Sequence, residues 1–137
     1  MAKKDSLQVK FTLFCDYALI SQDNKLSIIG EFDHVYSANE KAVLSKGFLV
    51  SRILGSPDSK IDLSLIINNE DKNDELFKKE FELTTDPAGR AGLIVEFGGL
   101  VFNKFGNYKA TLTSNGSLIA EANLHVVKVK PPNVARA

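Results

Sequence analysis

Apolar side chains recur at every second position through most of this chain, and that spacing constrains the fold more than any other feature. In an extended strand successive side chains point to opposite faces, so a period of two marks a strand with one buried face and one wet face. Ile61, Leu63, Leu65 and Ile67 show it most cleanly, interleaved with Asp62 and Ser64. Leu7, Val9, Phe11, Leu13 and Cys15 alternate with Gln8, Lys10 and Thr12; Leu26, Ile28 and Phe32 share one face, and Phe48, Val50 and Leu54 another. Leu93, Val95 and Phe97 follow, then Tyr108, Ala110 and Leu112 with Leu118, Ala120, Ala122, Leu124 and Val126 as their partners. Seven or eight strands are expected. A further apolar set, Ile29, Leu49, Ile53, Ile66 and Val101, falls on the opposite register and is expected to form an exposed patch or a second core layer.

The connections between these runs carry turn chemistry: Asp23-Asn24-Lys25, Ser56-Pro57-Asp58, Asp86-Pro87-Ala88-Gly89 and Asn115-Gly116. Asn115-Gly116 calls for a two-residue type I′ hairpin, because Asn and Gly tolerate the positive φ that this turn demands. Ser37-Ala38-Asn39-Glu40 has the spacing of a capping box and Gly47 that of a stop, so a short helix over residues 38–46 is expected. Between Asp71 and Leu83, Glu75 and Lys79 stand four apart as on a helix, yet Phe77, Phe81 and Leu83 suit a strand, and the strand is favoured. Strands joined by short turns, without long helices, predict one domain over residues 1–137. Its fold is an all-β immunoglobulin-like antiparallel β-sandwich of seven to eight strands with its ordered core over about 7–130.

The 137 residues suffice for a core without staples, burying roughly two thirds of the unfolded surface. Lys plus Arg and Asp plus Glu number 17 each, so no overall field draws the chain to nucleic acid, and neutrality favours self-association, with a homodimer among the expected states. Cys15 is the single cysteine, which excludes an internal disulfide and a cysteine-based zinc site and suits a reducing, cytoplasmic compartment. Gln8, Lys10 and Thr12 break the first apolar stretch too early for a signal-peptide core, and no apolar run approaches the roughly 20 residues that a membrane-spanning helix needs.

Several side chains invite a chemical reading. If the first two strands pair across Asp23-Asn24-Lys25, then Cys15, Asp16, Asp33 and His34 come near one another and offer a thiol, an imidazole and two carboxylates for a ligand, a metal or a nucleophile. The plainer reading makes Cys15 a small buried hydrophobe beside Leu13 and Phe11, and Asp16 and Asp33 caps for backbone N–H groups. The loop from Asn68 to Glu75 is dense in oxygen donors, with Asp71, Asn73, Asp74 and Glu75 as candidate calcium ligands; the plainer reading is a solvated turn. His34 and His125 lie far apart in sequence without a neighbouring third ligand, and His125 falls on the outward register of its strand. Lys3, Lys4, Lys128, Lys130 and Arg136 make a modest basic set near the termini, expected to be solvated tails.

Two stretches resemble a known family. Cys15-Asp16-Tyr17-Ala18 leading through Lys25-Leu26-Ser27-Ile28-Ile29-Gly30-Glu31-Phe32-Asp33, and Phe105-Gly106-Asn107-Tyr108 leading through Asn115-Gly116 to Ala120-Glu121, resemble small uncharacterised bacterial β-sandwich proteins of the DUF6941 type, over most of residues 9–129. The segment between Tyr36 and Phe48 departs from that pattern, with Ala38-Asn39-Glu40-Lys41 where prolines are expected. The resemblance implies a bacterial or phage-like context and brings no assigned catalytic residues or cofactor. The second stretch is also similar to the closing hairpin of immunoglobulin-like repeats, with Tyr108 packed inward. No catalytic motif is found. The leading expectation is a non-enzymatic module that binds protein or peptide through an open sheet edge, the first strand Leu7–Cys15 or the last Leu118–Val129. The alternatives are a small-molecule or metal site around Cys15, Asp16, Asp33 and His34, and a self-assembling structural subunit.

Overall fold

The structure is a computed structural model and describes residues 7–131. Among the described residues nine strands follow one another: β1 (Gln8–Ile20), β2 (Leu26–Phe32), β3 (His34–Ser37), β4 (Ala42–Leu54), β5 (Lys60–Asn69), β6 (Asp74–Thr84), β7 (Arg90–Phe102), β8 (Gly106–Ser114) and β9 (Ser117–Lys128). They form a first sheet in the order β2-β1-β4-β7 and a second in the order β3-β9-β8-β5-β6. The expected all-β, immunoglobulin-like sandwich is what the chain folds into, and the segment beyond Asp71 is strand β6. The expected count falls one short because β3 has four residues and turns only Val35 fully inward, too little to display a period of two. β3 also runs parallel to β9, the one parallel pair among the described residues.

The expected helix over residues 38–46 is absent. Ser37 Oγ accepts from Asn39 N–H at 3.1 Å and donates to the Lys41 carbonyl at 2.9 Å, so the hydroxyl closes a tight bend instead of capping a helix. β4 then starts at Ala42, which is fully buried opposite Phe102 of β7. A two-turn helix is marginal by itself, and a long ladder with β7 outcompetes it.

Between the sheets lie Phe14, Leu49, Ile53, Leu93, Val95 and Phe97 from the first and Ile61, Leu63, Leu65, Ile67, Leu112 and Leu124 from the second. Two turns set the register. Asn115 and Gly116 have φ of 51° and 79°, the doubly positive pair that a type I′ turn requires. Tyr108 is buried, as expected, and donates its hydroxyl to the Lys104 carbonyl at 2.8 Å, which fixes the start of β8.

The first sheet has a second apolar layer on its far side. β1 pairs with β4 only as far as Cys15, opposite Phe48. Were β1 straight, Ile20 would lie well past Phe48 toward Ala42. Instead Ile20 Cδ1 stands 2.9 Å from where a Gly92 Cβ would be, back at the level of Arg52. The β1–β2 hairpin has therefore doubled over at Asp16 and Gly30 and lies across the outer face of its own sheet. Beneath it are Cys15, Ala18, Phe48 and Val50, flanked by Phe11, Leu13, Leu26, Ile28 and Ile94. Strand β4 is consequently covered on both faces, with every residue from Phe48 to Ile53 buried.

This corrects the assignment of faces read from the alternation. A register shift between Val9 and Phe11 sends Phe11, Leu13 and Cys15 to the outer layer, while Phe14 enters the inter-sheet core. Leu49 and Ile53, assigned to the opposite register, are the inter-sheet residues, and Phe48 and Val50 belong to the second layer. Gly30, at φ 70°, reverses the alternation in β2, so Phe32 faces the core and Ile28 the outer layer. A Cβ at Gly30 would overlap the Asp16 carboxylate, so the bend needs glycine both for φ and for space. Gly30→Ala is expected to cost at least about 1–2 kcal/mol from the left-handed backbone alone, measured as a lowered urea midpoint; an unchanged midpoint would show that the bend does not depend on this glycine.

Candidate functional site

The doubled-over hairpin is held at its tip by a polar latch. Asn24, in the β1–β2 turn at φ 65°, accepts from Arg52 Nη1 at 3.1 Å through Oδ1 and from Arg52 Nη2 at 2.7 Å through its carbonyl. Its amide donates to Asp86 Oδ2 at 2.9 Å. Asp86 also accepts from the Ala88 and Arg90 N–H groups, each at 2.9 Å, and from Arg90 Nε at 3.1 Å. The Arg90 N–H, then the Asn24 amide, hold the Asp86 carboxyl at about 2. Arg52 is a buried charge inside an otherwise apolar run, and this latch satisfies it.

The latch bears on the first group of candidates, because the structure separates them. Cys15 is fully buried under the hairpin, and burial pushes its thiol up, with the Asp16 charge adding to that effect, away from the reactive thiolate. Asp16 lies at the bend over Gly30. Asp33 and His34 stand where the chain passes into the second sheet, and the Asp33 carbonyl accepts from the His125 N–H at 2.8 Å.

His34 instead meets His125. The parallel register of β3 and β9 places them side by side, with ring centroids 5.0 Å apart and planes inclined by 37°. His34 is hydrogen-bonded through Nδ1 to Asp33, His125 through Nδ1 to Asn107, and the Tyr36 ring stacks on His34. The pairing of these two histidines escapes a reading by sequence distance, since it exists only through the β3–β9 register.

The acidic loop after β5 is organised by its own chain. Asn69, buried, accepts from the Lys72 N–H at 2.9 Å, Asn73 takes φ 53°, and Asp74 pairs with Lys104. Among the described residues no group of three or more His, Cys, Asp or Glu side chains converges on a common metal position. A broad hollow of about 500 Å³ lies over the second sheet between Asp62, Ser64, Glu80, Glu82, Thr113 and Asn115, and it contains none of the candidate groups. Of the basic set, Lys128 and Lys130 are exposed, and Lys3, Lys4 and Arg136 lie outside the described residues.

The edges of the sheets differ from expectation. β1 and β9 each lie between two strands, yet β2 pairs β1 only from Phe14 to Ile20 and β3 pairs β9 only from His125 to Lys128, so Gln8–Leu13 and Leu118–Leu124 are each paired on one side. The end strands of the two sheets are β2, β7, β3 and β6. β6 carries Lys78, Lys79, Glu80 and Glu82, the charges with which edges are guarded, and β3 has four residues. β7 runs for 13 residues, RAGLIVEFGGLVF, with Glu96 as the one charge after Arg90. Beside Gly98 and Gly99 a built Cβ would meet nothing within 4 Å.

A family model described as a family of unknown function, DUF6941, matches residues 10–127. No curated protein matches the chain. Among solved structures, the chain is similar to an alkylpurine DNA glycosylase from Pseudomonas fluorescens bound to DNA containing an abasic-site analogue. That likeness has 8% identity and a TM-score of 0.53, and covers 88% of this chain and 30% of the glycosylase chain. It is also similar to an immunoglobulin-like protein from Pseudomonas aeruginosa, at 14% identity and a TM-score of 0.48 over 89% of this chain and 97% of that one. At 8% identity the first likeness is one of fold alone.

Two measurements probe the latch. Asp86 is held well below the value near 4 of an unfolded aspartate, at about 2. Its contribution is complete above pH 4 and is lost as pH falls from there through 2. Stability should fall over that window in the wild type and fall less in Asp86→Asn, followed by urea melts at stepped pH. Cys15 should react slowly with iodoacetamide in the native protein, and faster in Asn24→Gly, which keeps the positive φ but removes the latch amide. Rapid native labelling would show that the hairpin does not cover the thiol.

Proposed function

We propose that this chain, which belongs to the DUF6941 family of unknown function, is a non-enzymatic interaction module that takes an extended partner segment as an added strand along β7. The carrying observation is the contrast between edges. A strand end-on to solvent presents a row of unpaired N–H and C=O groups, and proteins ordinarily blunt such rows with charge, brevity or cover. β6 is blunted by charge and β3 by brevity, β2 has seven residues, and the one-sided stretches of β1 and β9 carry Lys10 and Glu121, whereas β7 is long, largely apolar and ends its sheet.

Several features support this reading. The partner segment would be extended and itself alternating, because each added residue pairs through the main chain while alternate side chains meet the apolar rim of the sandwich. Ile94 and Leu100 are half-buried and Val101 exposed along the strand, a surface suited to apolar contact. Gly99, at φ 72°, kinks the strand and marks the end of the straight docking stretch. Neutral overall charge imposes no long-range preference, so selectivity would come from side-chain fit and not from steering. Pairing of β7 with β7 of a second copy uses the same chemistry and makes a homodimer the self-binding form of this activity. A cytoplasmic setting fits a chain whose one cysteine is free and buried.

Peptides selected on the wild-type protein from a displayed library are expected to be strand-forming and to protect β7 amides from hydrogen exchange. Gly98→Lys places a charge beside open space without disturbing the core, and an edge lysine that must be desolvated against an apolar added strand should weaken binding roughly tenfold. Selected peptides that protect another element, or that bind the lysine variant equally well, would refute the assignment.

A further inference from the structure

The outer surface at β3, β9 and β8 carries a constellation that neither the β7 edge nor the hairpin latch uses. His34 and His125 are orientated from behind by acceptors: the Asp33 carboxylate at His34 Nδ1 and the Asn107 side-chain oxygen at His125 Nδ1. Such oxygens offer lone pairs only, so in each neutral ring the hydrogen resides on Nδ1 and the Nε2 lone pair is left free. Two adjacent imidazole rings, each steadied by a hydrogen bond at Nδ1 and so keeping Nε2 for a ligand, match the way proteins present histidine to a metal ion.

The spacing agrees with that reading. With metal–nitrogen bonds of about 2.0–2.1 Å, and ring centres roughly 1.1 Å beyond each nitrogen, two imidazoles on one tetrahedral ion have centroids about 5 Å apart. The observed separation is 5.0 Å. The rings reach this spacing through the backbone, because parallel pairing sets residues 34 and 125 directly beside each other, and the His125 N–H bonds the Asp33 carbonyl one residue away.

We propose that His34 and His125 form a two-histidine site for a borderline divalent ion of the Zn²⁺, Ni²⁺ and Cu²⁺ class, with water completing its coordination. Imidazole suits these ions, whereas Ca²⁺ and Mg²⁺ take oxygen ligands. Asp33 and Asn107 are positioning residues that set the tautomer and the ring orientation. The ion joins β9 to the four-residue edge strand β3, and so fastens the one short, parallel-paired strand of the second sheet to its neighbour. Binding of this kind is independent of strand addition at β7, which lies in the other sheet.

The test is titration of the full chain with ZnCl₂, with CaCl₂ in parallel, followed by calorimetry and by two-dimensional NMR of the histidine rings. One Zn²⁺ per chain is expected, with both ring signals shifting together and saturating at one equivalent, and with a melting temperature that rises with metal. His34→Asn and His125→Asn should each lower affinity at least tenfold, and Asn107→Ala about tenfold, the usual effect of removing such a supporting hydrogen bond. Wild-type protein with no saturable binding, histidine variants that bind as tightly, or Ca²⁺ that competes equally would overturn the proposal. Should a variant fail to fold, the ring signals of the wild type decide alone: perturbation of one histidine without the other also overturns it.

Discussion

Six consecutive residues of β4, Phe48 to Ile53, are shielded from water, and the rest of the architecture follows from the need to cover both of that strand's faces. One face meets the second sheet, as in any sandwich. The other has no sheet to meet, and Phe48, Val50, Leu13, Phe11 and Ile94 would form a large apolar surface there. The chain resolves this with its own first hairpin, which doubles back at Asp16 and Gly30 to supply Ala18, Leu26 and Ile28 as the missing layer. Burial of each large aliphatic or aromatic side chain contributes about 1.5–3 kcal/mol, which easily outweighs the backbone strain concentrated at Gly30 and Asn24.

The latch is the polar counterpart of that layer. Arg52 is buried on the outer face of β4, where its charge needs partners, and it finds them in the carbonyl and amide of Asn24. Asp86 completes the arrangement from the β6–β7 turn, where it also caps the N–H groups of Ala88 and Arg90. A single aspartate thus forms its own turn and anchors the tip of a hairpin more than sixty positions earlier in the chain. The layer packs the hairpin without direction, whereas the latch specifies where its tip must lie, since hydrogen bonds are directional and apolar contact is not.

With the hairpin in place, the surface available to a partner is what the fold leaves uncovered. The cysteine with the most chemical promise is enclosed, and the carboxylates beside it serve the bend and the crossover. The two proposals draw on what stays accessible: the backbone of β7 in one sheet and the paired imidazoles of β3 and β9 in the other. One offers main-chain hydrogen bonds to an extended segment, the other two lone pairs to a cation.

Strand positions, the hairpin at Asn115-Gly116, the inward Tyr108 and the strand at Phe77, Phe81 and Leu83 were legible in the sequence, because each depends on residues adjacent along the chain: a period of two, or a turn that only Asn and Gly tolerate. Faces were not legible. Alternation says that neighbours point oppositely without saying which side is the core, and one shifted register at Val9/Phe11 or one positive φ at Gly30 exchanges the sides. Edges and the histidine pair were equally out of reach, since which strand ends a sheet and which residues 91 positions apart become neighbours are properties of long-range pairing. Local sequence determined that this chain would be strands and turns. Only the tertiary structure decided which strands are sheltered, because burial and strand order are settled by contacts among segments that carry no mark of one another.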